Sequence, residues 1–212
     1  MNFHFLLSNL GSPLIHMISW LIGLFLLLHH LHVIGLVLHV HHGRVHSLNL
    51  GHMGLNGTIS PHLGNLSFLV ELDLSDNNFH GHLPKELVQL RRLKLLNLSF
   101  NELDGEVPTW IGSLYALQNL SFHNNNLSGI IPLSKSNLSR LEILDLNDNL
   151  IEAIISREIG RLKSLKILEI AGNKLNGIIP NAISNLSSLE GLSLAYNSLS
   201  VRELVSLKIN KE

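Results

Sequence analysis

A strict 24-residue repeat runs through most of this chain and restricts the folds open to it. One unit begins at Leu69 and continues with Leu72, Leu74, Asn77 and Gly81, and residues of the same types return 24 positions later. No insertion or deletion separates the units, which begin at Val45, Leu69, Leu93, Leu117, Leu141, Leu165 and Leu189. Because one unit cannot bury its own apolar positions, we expect stacked units that bury them in continuous rows, which is a solenoid.

Within each unit the spacing predicts a short strand followed by a polar turn. Leu72 and Leu74 alternate with polar residues, as in a strand buried on one face. Asparagine then recurs at one position, and an inward carboxamide there needs partners on the backbone of adjacent turns. We therefore predict a structural ladder formed by Asn77, Asn101, Asn125, Asn149, Asn173 and Asn197.

The composition argues against several classes of function. A net charge of -1 gives no electrostatic footprint for nucleic acid. The chain has no cysteine, which excludes disulfides, thiolate zinc sites and thiol nucleophiles. It also lacks a glycine-rich phosphate loop with its lysine and an HExxH zinc pattern. We predict no catalytic residue, no cofactor and no enzymatic activity.

The repeated pattern LxxLxLxxNxLxGxIPxxLxxL resembles the plant-specific class of leucine-rich repeat, which occurs in the extracellular domains of receptor-like kinases and receptor-like proteins. The resemblance covers residues 45–199, as seven units. It implies an α/β fold, a right-handed leucine-rich repeat solenoid with a parallel sheet on the concave face and a mostly irregular or 3-10 helical convex side.

The same resemblance implies a non-enzymatic module at the plasma membrane or outside the cell. Its partner would be a peptide or protein ligand, a co-receptor ectodomain, or both. No kinase is present in the sequence, so we expect a truncated receptor. Two alternatives stay open, a secreted inhibitor of wall-degrading enzymes that uses the same repeat class and an inert fragment of a receptor gene.

Residues 1–44 form an apolar N-terminal segment, and residues 200–212 form a short C-terminal tail. The run from Leu14 to Leu28 suits the core of a signal peptide, and an extension to Val40 would make an uncleaved anchor. We therefore expect possible membrane association through residues 14–40. The competing interpretation is a degenerate repeat cap, since counting back from the first strand places the cap motif of the family on residues 31–38.

Eight histidines lie between positions 29 and 52 and raise the question of a metal site. Alternating pairs such as His39 and His41 could share one face of a strand. However, no aspartate or glutamate precedes Glu71, so no local carboxylate can orient imidazole ligands. We predict no metal site.

Outward-facing strand positions define the candidate binding surface. Exposed aromatic rings beside spaced carboxylates suit a basic or amphipathic peptide. Polar residues that merely fill the repeat consensus are the structural alternative. The carboxylates are not an acid–base pair, because no nucleophile or orienting group accompanies them. The candidate ligand-binding residues are Glu71, Asp73, Phe100, His123, Asp145, Glu169 and Tyr196.

Asparagine sequons are frequent in the chain, which favours a secreted fold, although the repeat consensus itself supplies the string Asn-Leu-Ser. A glycan at Asn97 or Asn119 would lie on a concave strand and obstruct a ligand. The candidate glycosylation sites are Asn56, Asn65, Asn97, Asn119, Asn126, Asn137 and Asn185.

Lys135 occupies a core row that holds leucine or isoleucine in the other complete units. Its ammonium group cannot enter the row without desolvation, so either the side chain reaches outward or Leu133 shifts into the gap. We expect Lys135→Leu to raise the free energy of unfolding by about 1–2 kcal/mol. Chemical denaturation of both unglycosylated proteins measures this, and an unchanged or lower midpoint would mean that the register of this unit is wrong.

Overall fold

The computed structural model describes residues 38–41, 44–133 and 138–200. The largest of its three sheets has eight strands, in the order β1-β2-β4-β6-β8-β10-β11-β13. All neighbours are parallel except β1 and β2. These strands are β1 (Leu38–His41), β2 (Arg44–Asn49), β4 (Glu71–Asp73), β6 (Leu95–Asn97), β8 (Asn119–Ser121), β10 (Ile143–Asp145), β11 (Ile167–Glu169) and β13 (Gly191–Ser193).

The register of this sheet follows the sequence period. Leu72 pairs with Leu96, and Leu96 pairs with Leu120, so each residue lies beside its equivalent in the next unit. These leucines are fully buried, and the residues on either side of each face outward. The solenoid that the repeat predicts, with its parallel sheet, is confirmed. At the start of the sheet, β1 pairs antiparallel with β2 and covers an edge that would otherwise expose unpaired backbone groups.

Six of the seven units continue through a short second strand, and five units contain a 3-10 helix. The second strands form one ladder in the order β3-β5-β7-β9 and another of β12 and β14. They are β3 (Asn56–Gly57), β5 (Asn78–Gly81), β7 (Glu102–Glu106), β9 (Asn126–Ser128), β12 (Asn176–Ile178) and β14 (Ser198–Ser200). The 3-10 helices are η1 (Pro61–Asn65), η2 (Lys85–Gln89), η3 (Thr109–Ser113), η4 (Arg157–Arg161) and η5 (Asn181–Asn185).

The asparagine ladder joins successive turns through one repeated set of hydrogen bonds. The side-chain nitrogen of Asn125 donates to the carbonyl oxygens of Leu98, Phe122 and His123 at 3.0, 3.1 and 3.3 Å. Its side-chain oxygen accepts from the backbone N–H of Leu103 at 3.0 Å. Partners at the same sequence offsets bind the other members, Asn77, Asn101, Asn149, Asn173 and Asn197.

Glycine sets the distance between some neighbouring 3-10 helices. A Cβ atom built on Gly64 in η1 would lie 2.3 Å from the carbonyl oxygen of Glu86 in η2. A Cβ atom on Gly160 in η4 would lie 2.6 Å from the carbonyl oxygen of Ala182 in η5. Both distances are too short for a real contact, so these two helix pairs pack closely because the side chain is absent.

Serine takes the place of the repeat proline at the start of η4. The Ser156 hydroxyl accepts from the backbone N–H of Glu158 and also binds the Glu158 carboxylate. The hydrogen bond from Ser156 holds the pKa of Glu158 below its usual value, with smaller contributions from its own backbone N–H and from Arg161 and Arg157.

We expect Ser156→Ala to raise the pKa of Glu158 toward its ordinary value, because the main cause of the lowering is removed. Loss of the N-cap should also reduce the free energy of unfolding by about 1 kcal/mol. A carboxyl group whose pKa is lower in the folded than in the unfolded protein stabilises the fold at pH values above its unfolded pKa. This contribution disappears as the pH falls through the folded pKa. NMR titration of the Glu158 carboxyl tests this, and an unshifted titration in the variant would contradict it.

The fourth unit departs from the others next to residues 134–137. Leu133 is only 4% exposed, whereas its equivalents Lys85, Thr109, Arg157 and Asn181 are exposed. Lys135 itself lies outside the described residues, as does the sequon at Asn137. Leu133 belongs to the buried core, and the stability effect of Lys135→Leu stays a prediction.

Several other sequence features fall outside the described residues. They include residues 14–37 of the membrane-seeking segment, the cap motif before Leu38, His29, His30, His32 and His42, and the tail from Val201 onward. Within residues 38–41, 44–133 and 138–200, no helix has the length and hydropathy that a membrane crossing requires.

Candidate functional site

In seven turns of the solenoid, the residue directly before the ladder position has a left-handed backbone conformation. The backbone φ lies between 52° and 58° at six residues with side chains, and Gly172 is the seventh member at 63°. This conformation costs an L-residue about 1–2 kcal/mol, and asparagine and aspartate tolerate it best. In six of the seven units the turn geometry thus fixes one side chain at the end of the concave strand, namely His52, Asp76, Phe100, Asn124, Asp148 and Tyr196.

A hollow of about 400 Å³ lies on the concave face, across units one to five. Outward side chains of β6, β8 and β10 form its floor, and members of the left-handed row form one side. Three of the predicted ligand-binding residues meet here: Phe100, His123 and Asp145. The hollow is also lined by apolar Leu95 and Ile143, which the sequence analysis did not select.

His123 lies at the centre of this group. Its ring centroid is 4.7 Å from that of Phe100, with 39° between the ring planes. Its Nε2 atom lies 3.2 Å from an Asp148 carboxylate oxygen, and its Nδ1 atom lies 3.6 Å from an Asp145 oxygen. The imidazole is therefore held between an aromatic ring and two carboxylates, and its side chain remains 28% exposed.

Two serine hydroxyls lie side by side on the floor of the hollow. The Ser99 hydroxyl lies 2.8 Å from the Asn97 side-chain oxygen and 2.6 Å from the Ser121 hydroxyl, and its single proton serves one of these two contacts. The Ser121 hydroxyl donates to Asp145 at 3.0 Å, and the Asn147 backbone N–H donates to the other oxygen of Asp145 at 3.1 Å. Asp145 is thus oriented by two donors and is only 16% exposed, whereas Asp148 is 62% exposed and open to a ligand.

The other four predicted ligand-binding residues do not line the hollow. Glu71 accepts from the Ser47 hydroxyl at 3.1 Å, and Glu169 accepts from the Asn147 side chain at 3.0 Å. Asp73 accepts from both the N–H and the hydroxyl of Ser75. Tyr196 is 90% exposed and lies in the seventh unit. These residues belong to the same concave surface and its rim, but they do not converge on one point.

Two further histidine–aspartate pairs link neighbouring units on the exposed surface. His52 Nδ1 lies 2.6 Å from an Asp76 oxygen, and His82 Nδ1 lies 2.5 Å from an Asp104 oxygen. Of these four residues, His52 and Asp76 border the hollow. Among the described residues no three histidine, cysteine or acidic side chains are arranged to hold a metal ion. The site therefore offers carboxylates, an aromatic face and apolar contacts, which are groups suited to binding.

The predicted glycosylation sites divide into two structural groups. Asn97 and Asn119 line the hollow, so a glycan on either would fill it. The Asn97 side-chain oxygen is moreover engaged by the N–H and hydroxyl of Ser99. The remaining described sequons are exposed away from the hollow, at Asn56, Asn65, Asn126 and Asn185.

Family descriptions match most of the repeats. The description "Leucine rich repeat" matches residues 139–199, and "Leucine Rich Repeat" matches residues 68–90, 92–114 and 116–138. The crystal structure of a Pollen Receptor Kinase 3 is 30% identical to this chain and superposes with a TM-score of 0.67. The match covers 80% of this chain and 82% of that one. The chain belongs to the leucine-rich repeat family.

Other relatives of this leucine-rich repeat chain are plant receptor kinases. The Arabidopsis thaliana kinase HAESA, solved with the peptide hormone IDA and the co-receptor SERK1, is 37% identical over 68% of this chain and 24% of its own, with a TM-score of 0.66. The Arabidopsis thaliana receptor-like serine/threonine-protein kinase EFR is 53% identical over 49 residues, which are 23% of this chain and 5% of that kinase.

The leucine-rich repeat chain spans only 4–5% of the length of the curated relatives that it matches. The match to Pollen Receptor Kinase 3 is more extensive and covers 82% of that chain. The chain is therefore of the type found in plant receptor kinase ectodomains.

Proposed function

We propose that the chain is a non-enzymatic recognition module of the plant receptor type, and that its concave hollow binds a peptide or a protein segment. The ligand would present a cationic or aromatic side chain to the hollow. The convergence of Phe100, His123, Asp145 and Asp148 is the single observation that carries this proposal. The module would act outside the cell or at the plasma membrane, as part of a longer receptor.

The chemistry of the hollow favours a basic side chain. Asp148 is 62% exposed, so a ligand guanidinium or ammonium can reach its carboxylate, one oxygen of which also lies 3.2 Å from His123 Nε2. The exposed face of Phe100 is adjacent and attracts a cation through its ring quadrupole, a contact worth about 0.5–2 kcal/mol. Leu95 and Ile143 can contact the apolar stem of the same side chain.

The relatives support the same class of ligand. HAESA was solved with a peptide hormone and a co-receptor, which shows that a solenoid of this repeat type can present a peptide-binding surface. The chain shares 37% identity with that receptor. A peptide lying across several units would contact the outward residues of successive strands, and the hollow extends over units one to five.

A peptide array tests this proposal. The whole unglycosylated chain is applied to an array of short linear peptides, and the affinities of the retained sequences are measured by calorimetry. We expect those sequences to be rich in arginine, lysine or aromatic residues. The paired substitutions Phe100→Asn and Asp148→Asn introduce asparagine, which tolerates the left-handed backbone, so they remove the binding groups without new strain.

The paired variant should bind the retained peptides at least about tenfold more weakly, which corresponds to 1.4 kcal/mol. The matched control replaces an exposed aromatic residue and an exposed carboxylate outside the hollow, Tyr115→Asn with Glu106→Gln, and should stay within about twofold of the original chain. Equal affinity of the Phe100 and Asp148 variant would refute the concave site.

A further inference from the structure

A second surface, on the flank where the strands begin, carries arginine before the first, third and fifth units. The residue immediately before each of the first five units is in turn Arg44, Phe68, Arg92, Ala116 and Arg140, and serine precedes the last two units. We call these five residues, together with Tyr115, the arginine flank. All three arginines are exposed. Because neighbouring strands lie 4.7–4.9 Å apart, successive arginines are separated by roughly 10 Å along the solenoid.

Phe68 orders two of these arginines. The guanidinium carbon of Arg44 lies 4.0 Å from the Phe68 ring centroid, and that of Arg92 lies 4.4 Å from the same centroid. A guanidinium that contacts a ring through its face keeps its N–H groups available in its own plane for a carboxylate. The ring thus limits the motion of two long side chains before a ligand arrives, which reduces the entropy lost on binding.

The positive charge of the arginine flank is not neutralised within the described structure. Among the described residues, no aspartate or glutamate oxygen lies within 4.0 Å of Arg44, Arg92 or Arg140. Arg91 and Lys94 add two exposed cations beside Arg92. Ion pairing on this side occurs farther along the solenoid, where Lys166 contacts Glu142 at 2.6 Å.

An exposed aromatic ring lies beside the row of cations. Tyr115 is 53% exposed and directly precedes Ala116, which occupies the row position between Arg92 and Arg140. An exposed tyrosine offers a flat apolar face and a polar hydroxyl at its edge. The small side chain of Ala116 leaves space for a ligand to approach that face.

We propose that the arginine flank binds a linear acidic polysaccharide. Uronate carboxylates would pair with Arg44, Arg92 and Arg140, and an intervening sugar ring would lie against Tyr115. Such a polymer carries carboxylates at a regular interval along a stiff chain, which matches a row of cations that recurs at every second strand. A basic or neutral ligand has no complement here. The chain would meet such a polymer outside the cell, and in this respect alone the proposal rests on the proposed function. The surface itself is separate from the concave hollow.

Polygalacturonate is the probe for this site, measured by calorimetry with the whole chain. The variant Arg44→Gln, Arg92→Gln and Arg140→Gln should bind at least about tenfold more weakly, because three charge-assisted contacts are lost. Its matched control removes three cations from the convex 3-10 helices, Lys85→Gln, Arg157→Gln and Arg161→Gln, and should keep the original affinity. Added salt should weaken binding to the original chain more steeply than to the arginine variant.

Two further measurements separate this proposal from its rivals. Fully methyl-esterified polygalacturonate lacks the carboxylate charge and should not bind, and Arg92→Lys should bind more weakly because a lysine cannot stack and pair in the same geometry. The variant Phe100→Asn with Asp148→Asn should keep full affinity for polygalacturonate, which distinguishes this site from the concave one. The proposal is overturned if the arginine variant binds like the original chain, if both triple variants lose affinity equally, or if polyglutamate binds as tightly as polygalacturonate.

Discussion

Asn125→Ala should lower the free energy of unfolding by about 2–4 kcal/mol, the largest effect that we expect from a single polar substitution. Asn125 is 6% exposed, and its side-chain oxygen is the acceptor for the Leu103 N–H. The truncation leaves that buried donor without a partner, which costs about 1–3 kcal/mol, and a small cavity adds to the loss. Urea denaturation of the unglycosylated protein measures the change.

Asn126→Ala is the matched control, because Asn126 follows directly in the chain and its side chain is exposed. We expect its effect to stay within about 0.5 kcal/mol of zero. If Asn125→Ala is as stable as this control, the ladder does not hold successive turns together. A loss confined to Asn125→Ala would show that the asparagine, and not the composition of the turn, links the units.

Gly64→Ala should lower the free energy of unfolding by about 2–3 kcal/mol. The added Cβ would lie 2.3 Å from the Glu86 carbonyl oxygen and 2.8 Å from its carbon, so η1 and η2 must separate. A glycine-to-alanine change without a clash normally stabilises a protein by about 0.4–1 kcal/mol, since it restricts the unfolded chain. The sign of the measured change therefore reports the contact between the two helices.

Gly191→Ala provides the comparison for Gly64→Ala. A Cβ atom there meets nothing closer than an Ile167 side-chain carbon at 3.7 Å, which is an ordinary contact. We expect its thermal midpoint to equal or exceed that of the original chain. A Gly64→Ala protein with an unchanged or higher midpoint would contradict the close packing of η1 against η2.

The sequence period predicted the fold because it determines both the register of the strands and the packing of the core. A leucine at every equivalent position defines which face of the strand is buried, and a shift of one residue would expose that whole row. The period therefore specified the parallel register seen for Leu72, Leu96 and Leu120. The 3-10 helices and the second strands are shorter elements, and their bounds depend on local hydrogen bonds that the pattern does not encode.

The left-handed row could be inferred only in part. Gly172, Asn124 and Asp148 are residue types that adopt this conformation readily, and their 24-residue spacing was a usable signal. Phe100 and Tyr196 disfavour it, so their backbone follows the geometry that the repeat imposes on every turn. Local preference is overridden here by the packing of the units.

The candidate site was predicted as separate residues, and their convergence was not. Phe100, His123 and Asp145 come from three successive units, and Asp148 follows in the same unit as Asp145. In a solenoid, residues 22–25 positions apart face each other across neighbouring turns, as the His123 contacts show. A search for complementary side chains at those offsets would have found the group. The close contact at Gly64 depends on a distance between helices, and no sequence spacing reveals it.

Photo-crosslinking tests most directly whether the concave hollow is the binding site. A benzophenone amino acid is placed either at Asn119, which lines the hollow, or at Asn185, which is exposed at the end of η5. Each unglycosylated protein is irradiated with a peptide retained by the original chain, and the adducts are identified by mass spectrometry. We expect adducts from the Asn119 position and none from the Asn185 position. Adducts from Asn185 alone, or equal yields from both positions, would contradict ligand recognition in the hollow.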